Sequence, residues 1–251
     1  DAPAAAPGRP PILCPGCPHR SVYYVLNKLK MHAAGDIGCY TLGNAMPLDM
    51  VDTCLCMGAG LNIAQGVEKV EPDTTCFAFV GDSTFFASAI TGVVNAVYNQ
   101  ANMVLVVLDN STTAMTGHQP HPGTGRTVMG EIVQKINIEQ VLRGIGVTEI
   151  ETINPLELEA SVSCVKRMAE KSGVRAIIFK APCIAVTKPK APLHVDQGSC
   201  IGCKKCIRDL GCPAIVMNDG KICIDASMCT GCHLCSQVCP VCAIAGGDDY
   251  E

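Results

Sequence analysis

Between Val22 and Pro182 the chain alternates short, unbroken apolar runs with longer stretches of helical spacing. Cys76-Phe-Ala-Phe-Val80 is one such run, and Gly81-Asp82 follows it at once. From Phe85 to Gln100 the apolar residues Phe86, Ile90, Val93, Val94 and Val97 recur at helical intervals, which predicts a helix. Met103-Val-Leu-Val-Val-Leu108 is a second run and ends at Asp109-Asn110. Ile132 to Ile145 reads as a helix stopped near Gly144 and Gly146. Pro155 to Ser172 reads as another, with Pro155 near its first turn and Gly173 beyond its end. Arg175-Ala-Ile-Ile-Phe179 is a third strand. Strands that are apolar throughout are buried on both faces, so the pattern predicts an α/β fold: a parallel sheet with helices on both faces. Ligands of such sheets sit beyond the carboxyl ends of the strands. Gly81-Asp82 and Asp109-Asn110 occupy those ends.

Two Pro-rich segments divide the chain. Residues 1–11, a Pro/Ala run, read as a linker from a preceding domain. Thr187-Lys-Pro-Lys-Ala-Pro192 reads as a second linker. The expected organisation is therefore a large α/β domain over 12–186 and a small unit over 193–251. The small unit is dominated by cysteine, has little core and needs a metal to staple it.

Composition narrows the chemistry. At 251 residues and net charge −4, nothing suggests a nucleic-acid surface. No apolar run is long enough to span a membrane, and no signal peptide is visible. Ten aromatic residues and no Trp leave the core to aliphatic side chains. The 18 cysteines fall in metal-ligand spacings that oxidation would destroy, so a reduced, cytoplasmic setting is expected.

Cys229-x2-Cys232-x2-Cys235-x3-Cys239-Pro240 is the bacterial ferredoxin ligand pattern. Cys200-x2-Cys203-x2-Cys206-x5-Cys212-Pro213 is the same pattern with two extra residues before its last cysteine. The two runs predict a small α+β ferredoxin domain with two [4Fe–4S] clusters, the fourth cysteine of each run ligating the other run's cluster. Cys54, Cys56, Cys76, Cys164, Cys223 and Cys242 lie outside these spacings and read as buried structural thiols. Cys14-x2-Cys17 is spaced either for a metal or as a pair of core or capping thiols.

The second signal is Gly81-Asp82-Ser-Thr, followed about thirty residues on by Asp109-Asn110-Ser-Thr112. A diphosphate needs a hard cation and backbone donors, and Mg²⁺ takes an octahedron of oxygens. Asp82 offers a charged oxygen, Asn110 a neutral one and Thr112 its carbonyl, while Gly81 lets the chain turn sharply. A helix beginning near Phe85 would aim its N-terminus at the phosphates.

These residues resemble the thiamine-diphosphate motif of the 2-oxoacid:ferredoxin oxidoreductases. The likeness extends to Cys14-Pro-Gly-Cys17-Pro-His19-Arg20, Gly35-Asp-Ile-Gly-Cys39-Tyr-Thr-Leu-Gly43 and Thr112-Thr-Ala-Met-Thr-Gly117-His-Gln-Pro-His-Pro122. With the appended cysteine runs, including the x5 spacing, residues 12–245 resemble the carboxyl-terminal half of the indolepyruvate ferredoxin oxidoreductase alpha-subunit family. That family often has Gly where Ser83 stands; a small residue is kept.

The resemblance implies thiamine diphosphate with Mg²⁺ held by Asp82, Asn110 and the Thr112 carbonyl, and Gly38, Cys39, Tyr40, Met57, Gly58, Gly81, Ser83 and Thr84 close to the cofactor. It also implies a third [4Fe–4S] cluster on Cys14, Cys17, Cys39 and Cys183. The implied reaction oxidatively decarboxylates a 2-oxoacid such as indolepyruvate or another aryl pyruvate. Its products are acyl-CoA and CO₂, and single electrons pass through the clusters to an external ferredoxin. Of the motif-loop histidines His19, His118 and His121, the first two are the candidates to donate to the substrate carboxylate or oxyanion; structural hydrogen bonding is the alternative. His32, His194 and His233 read as surface or module residues. No acidic residue stands in a context suited to activating the aminopyrimidine. A preceding pyrimidine-binding domain or chain is therefore expected to complete the site, with a second (beta) subunit alongside. Two other readings are an electron-transfer iron–sulfur subunit without thiamine chemistry, and a non-redox thiamine decarboxylase or synthase that would have no use for the cysteine tail.

Overall fold

The computed structural model describes residue 8 and residues 10–246. Most of the expected linker over 1–11 lies outside the described residues, as do residues 247–251.

The chain opens with helix α1 (His19–Leu29) and strand β1 (His32–Ala34), then passes through a 3-10 turn (Cys39–Asn44) to helix α2 (Ala59–Val70). Strand β2 (Cys76–Gly81) runs straight into α3 (Asp82–Thr84), a π turn (Phe85–Ala89) and helix α4 (Ile90–Tyr98). After β3 (Met103–Asp109) come α5 (Ile138–Ile145), β4 (Glu149–Ile153), α6 (Leu158–Glu170) and β5 (Val174–Lys180). The five strands form one parallel sheet in the order β1-β2-β3-β5-β4.

Every residue of β2 and β3 is buried. Their alternate side chains enter two separate cores. Phe77, Phe79, Val104, Val106, Leu108, Ile177 and Phe179 face α1 and α6. Ala78, Val80, Leu105, Val107, Ala176 and Ile178 face α2, α4 and α5. Each fully buried Leu, Ile or Phe contributes about 1.5–3 kcal/mol, so the helices on both faces hold the central strands in place. In register, Gly81 lies beside Leu108, and Asp109 beside Lys180. The carboxyl ends of three strands thus share one edge.

The cysteine unit adds β6 (Leu193–Val195), α7 (Lys205–Arg208), β7 (Ile215–Asn218), β8 (Lys221–Ile224), α8 (Leu234–Val238) and β9 (Ile244–Gly246). β6 pairs with β9 and β7 with β8, both antiparallel. Its Leu193, Leu210, Leu234, Val238 and Ile244 belong to the same apolar cluster as α1, α6 and the Phe77 face of the sheet. The unit is packed on the larger one, not tethered beside it. Gln237 reinforces the join: its Oε1 accepts from Leu158 N (2.9 Å) at the start of α6, and its Nε2 donates to Leu156 O (2.8 Å). The 187–192 segment is also held, with Lys190 N donating to Thr230 O (3.1 Å).

Two expectations change. The helix expected over 132–145 begins only at Ile138, where Asn137 caps it by accepting from Gln140 N (3.1 Å). Residues 132–137 instead follow the preceding loop, through Val133 N to Gly125 O (3.1 Å) and Ile136 N to Pro122 O (3.0 Å). Their apolar spacing mimics a helix, but Ile132 is 78% exposed and buries nothing. The six cysteines outside the ligand spacings are not all buried. Cys76 and Cys164 are, Cys223 is half-buried, and Cys54, Cys56 and Cys242 are exposed on loops. Among the described residues no helix is long and apolar enough to cross a membrane.

Candidate active site

A cleft opens at the shared strand edge. His19, Gly38, Cys39, Tyr40, Met57, Gly81, Asp82, Ser83, Thr84, Asn110 and Thr112 all line it. These residues come from positions as far apart as α1 and the loop after β3, and the parallel sheet brings them together.

Gly81 has φ −75°, which any residue can adopt. Its requirement comes from packing, not from turning: a Cβ there would lie 2.6 Å from Tyr40 Cε1. Tyr40 is pinned by its hydroxyl, which donates to Ile37 O (2.9 Å) and lies within 3.2 Å of Thr84 Oγ1 and 3.3 Å of Asp36 Oδ2. Gly58 does not line the cleft. It sits at φ +85° with Ser88 Oγ 2.6 Å from where a Cβ would be, and its N–H donates to Asp36 Oδ1 (2.9 Å).

Asp36 is only 1% exposed and braces Gly58, Ile37 and Tyr40 at once. Burial raises its carboxyl above the usual range, and the two backbone N–H donors oppose that. The sequence pattern did not mark it as a site-building acid. Its signal was its place inside Gly35-Asp36-Ile37-Gly38.

Asp82 is 3% exposed. Its Oδ1 accepts from Ser83 N (2.8 Å), while Oδ2 lies 3.1 Å from His121 Nε2 in poor alignment, so neither of those two atoms has a hydrogen-bond partner. Burial raises the Asp82 carboxyl, and His121 opposes the rise. His121 Nδ1 accepts from Gly123 N (3.2 Å), which places its proton on Nε2. The Phe86 ring stacks on the imidazole at 5.8 Å. An unsatisfied carboxylate oxygen at the floor of a cleft fits a hard cation.

Asn110 is buried beside it. Its Nδ2 is 3.3 Å from His19 Nε2, and its Oδ1 is 3.3 Å from Thr112 N. Burial lowers His19 to about 4, so the ring is neutral and Nε2 accepts from the amide. This turns Asn110 Oδ1 away from His19, where it accepts from Thr112 N and keeps a second lone pair for a cation. The structure thus gives His19 an orienting contact with Asn110. His118 is exposed, at φ +63°, and does not line the cleft. The histidine in contact with Asp82 is His121, a residue the sequence placed only in a motif loop.

The cysteines fall into three groups. Cys17 N donates to Cys14 O (3.2 Å) just before α1, and Cys183 N donates to Asn110 O (2.9 Å). Burial raises Cys17 to about 12, with Cys14 and Cys39 adding to the rise. Burial also raises Cys39, with added repulsion from Cys183 and Cys14. The four thiols therefore feel one another. In the smaller unit burial raises Cys206, and Cys203 and Cys239 add to it. Cys235 is raised by burial and then by Cys232, Cys212 and Cys229. A small gap is lined by Cys200, Cys203, Cys206 and Cys239. Cys239 thus faces the first run and Cys212 the second, the crossed arrangement of a two-cluster ferredoxin. Among the described residues no three His, Cys, Asp or Glu side chains converge on a single ion. Cys200, Cys203, Cys206 and Cys239 thus border one gap, and Cys212, Cys229 and Cys232 lie close enough to Cys235 to act on its thiol.

The family model "Thiamine pyrophosphate enzyme, C-terminal TPP binding domain" matches residues 36–179. Proteins named indolepyruvate oxidoreductase subunit IorA are similar over most of the chain. The Methanothermobacter thermautotrophicus protein is 43% identical over 95% of this chain, and the Archaeoglobus fulgidus protein 40% identical over 96%. The chain spans about 40% of the length of these relatives. Among solved structures, a 2-oxoglutarate:ferredoxin oxidoreductase from Magnetococcus marinus shares the fold with a TM-score of 0.61. It is 19% identical, over 72% of this chain and 67% of that one.

Proposed function

This chain belongs to the thiamine pyrophosphate enzymes, residues 36–179 being their C-terminal TPP-binding domain, and from that premise we propose that it is the cofactor-binding and iron–sulfur part of a 2-oxoacid:ferredoxin oxidoreductase. The proposed substrate is indolepyruvate or another aryl pyruvate, after the names of its relatives. The products are acyl-CoA and CO₂, and the electrons leave singly for an external ferredoxin. The observation that carries this reading is the bond from Cys183 N to Asn110 O. It joins the strand end that would hold the metal to the cysteine group that would take the electrons.

When bound, thiamine diphosphate supplies the carbanion and electron sink that 2-oxoacid decarboxylation needs. The chain's own residues hold and aim it. Asp82 Oδ2, Asn110 Oδ1 and the Thr112 carbonyl would ligate Mg²⁺, with His19 fixing the Asn110 amide and His121 bracing Asp82. Ser83 and Thr84 line the cleft at the start of a helix and would lie beside the diphosphate. Tyr40 and Gly81 form one wall, packed too closely to admit a Cβ between them. Cys14, Cys17, Cys39 and Cys183 would hold the first cluster. Cys212, Cys229, Cys232 and Cys235 would hold the second, and Cys200, Cys203, Cys206 and Cys239 the third. The second group lies nearer the cofactor unit, since the Cys14–Cys17 turn packs against Thr230. Electrons would then run against the order of the two runs in the sequence. Such thiolate sites require a reduced setting, which is that of the cytoplasm.

Met57 and Met115 line the cleft and are about half exposed, and Val128, Met129 and Ile132 stand exposed on the loop beyond. An apolar lip of this kind suits a second domain that covers the cofactor. The proposed occupant is the pyrimidine-binding domain or chain that supplies the missing acid, with a second subunit completing the enzyme.

The test is anaerobic mixing of the full enzyme with indolepyruvate and coenzyme A, followed by electron paramagnetic resonance. Reduced-cluster signals are expected. In Asp82→Ala they should vanish with substrate and persist with dithionite. Clusters that substrate never reduces, in protein saturated with thiamine diphosphate and Mg²⁺, would leave only an electron-transfer subunit.

A further inference from the structure

Arg20 is the second residue of α1, yet its side chain is 3% exposed. Its guanidinium donates to four carbonyls from two distant parts of the chain. Nη1 reaches Leu210 O (2.6 Å) and Gly211 O (2.9 Å). Nη2 reaches Leu13 O (2.6 Å) and Cys14 O (3.3 Å). Leu13 and Cys14 open the four-cysteine group of the larger unit, and Leu210 and Gly211 lead directly into Cys212. Arg20 Nε is buried with no partner.

Among the described residues no carboxylate pairs with Arg20. A buried guanidinium is costly unless something anionic lies close. Carbonyl dipoles meet part of that need, and the two cysteine groups lie on either side of it. Burial disfavours the thiolates of Cys17 and Cys232, and the charge of Arg20 favours both. The two loops also touch. Gly16, at φ +71°, leaves space for the Thr230 hydroxyl where a Cβ would stand, and Thr230 lies between Cys229 and Cys232. A [4Fe–4S] cluster with four thiolates is anionic in both of its redox states. Cluster potentials respond to nearby charge and to N–H groups aimed at sulfur.

We propose that Arg20 is the positioning and charge-setting residue of the electron crossing between the two units. It is one buried cation shared by the Cys14/Cys17/Cys39/Cys183 nest and the Cys212/Cys229/Cys232/Cys235 nest. It holds their loops in register and raises the reduction potential on both sides. This rests on the reading that both nests carry clusters. The crossing moves one electron: the first cluster is oxidised as the second is reduced. No bond forms or breaks, and no proton moves. Because the cation is shared, both potentials rise together and the step between them stays small.

The test is a redox titration of the anaerobically loaded full enzyme by electron paramagnetic resonance, in wild type, Arg20→Met, Arg20→Gln and Arg20→Lys. In the neutral variants both midpoints are expected to fall by at least tenfold in the one-electron equilibrium constant, about 59 mV. The cluster on Cys200, Cys203, Cys206 and Cys239 should move less. Arg20→Lys keeps the charge and should keep both midpoints near wild type, even where its shorter reach loosens the smaller unit. Fully loaded neutral variants with unmoved midpoints overturn the proposal. So does Arg20→Lys with midpoints displaced tenfold, a comparison that stands even when neither neutral variant loads its clusters. Iron content separates the two failures. Wild-type enzyme lacking the first cluster removes the underlying reading and this proposal together, whereas full iron with unmoved midpoints removes this proposal alone.

Discussion

Gly81→Ala isolates the packing that shapes the cofactor cleft. The backbone at residue 81 is extended and accepts alanine without strain, so any effect must come from the new methyl group. That methyl would lie 2.6 Å from Tyr40 Cε1, well inside van der Waals contact. The ring cannot swing freely, because its hydroxyl is held by Ile37 O and lies beside Thr84 and Asp36, and residue 38 also packs closely on its Cε1 edge. Overpacking of a buried site costs about 1–3 kcal/mol. In a chain of this size each kcal/mol lowers the melting temperature by about 2–4 °C. The assay is a double-mutant cycle of Gly81→Ala and Tyr40→Leu, read by anaerobic thermal unfolding and by thiamine diphosphate titration with Mg²⁺. Gly81→Ala alone should destabilise by that amount and weaken cofactor binding. With Tyr40→Leu most of the stability penalty should disappear, since the clashing atom is gone. An equal penalty in both backgrounds, or a neutral Gly81→Ala, would refute the role given to the Gly81–Tyr40 contact.

Further outcomes follow from single contacts. His19→Leu leaves the buried Asn110 Nδ2 without its acceptor and should cost about 1–3 kcal/mol, with a higher Mg²⁺ requirement for thiamine diphosphate binding. The same histidine sets a pH dependence. It is buried and neutral with a value of about 4, so as pH falls from about 6.5 toward 4 the unfolded chain takes up a proton that the folded one refuses. At about 1.4 kcal/mol per unit, stability falls by roughly 3 kcal/mol over that window. The difference in urea midpoint between wild type and His19→Gln should narrow accordingly. Gln237→Ala removes the acceptor at the start of α6 and should cost about 0.5–2 kcal/mol in urea unfolding. Cys39→Ser should lower the iron content by about a third while leaving the ferredoxin-type clusters intact.

The central strands were legible because a parallel sheet buries both faces, and an unbroken apolar run as short as 103–108, bounded by polar residues, suits a strand buried on both sides. Boundaries set by side-chain capping were not. Ile132, Val133 and Ile136 carry helical spacing, but Asn137 decides where α5 begins and the preceding loop claims the rest. Strands β1 and β4 escaped notice because they are short and, in β4, half-exposed. The cleft residues were found from motifs, and the fold brings all but Gly58 and His118 to its lining. What no motif conveys is which side chain touches which. The pairing of His121 with Asp82, the bracing by Asp36 and the span of Arg20 across two units join residues distant in sequence, and only the folded chain shows them. Gly81 teaches the same point: its place was legible, but its reason was a neighbouring ring and not a turn.

The most direct measurement is the content of iron, thiamine diphosphate and Mg²⁺ per chain in anaerobically purified enzyme. Three [4Fe–4S] clusters require about twelve irons, alongside one thiamine diphosphate and one Mg²⁺. That is the predicted result. About eight irons would remove the cluster on Cys14, Cys17, Cys39 and Cys183, and an absence of thiamine diphosphate in protein offered both cofactor and Mg²⁺ would contradict the central claim.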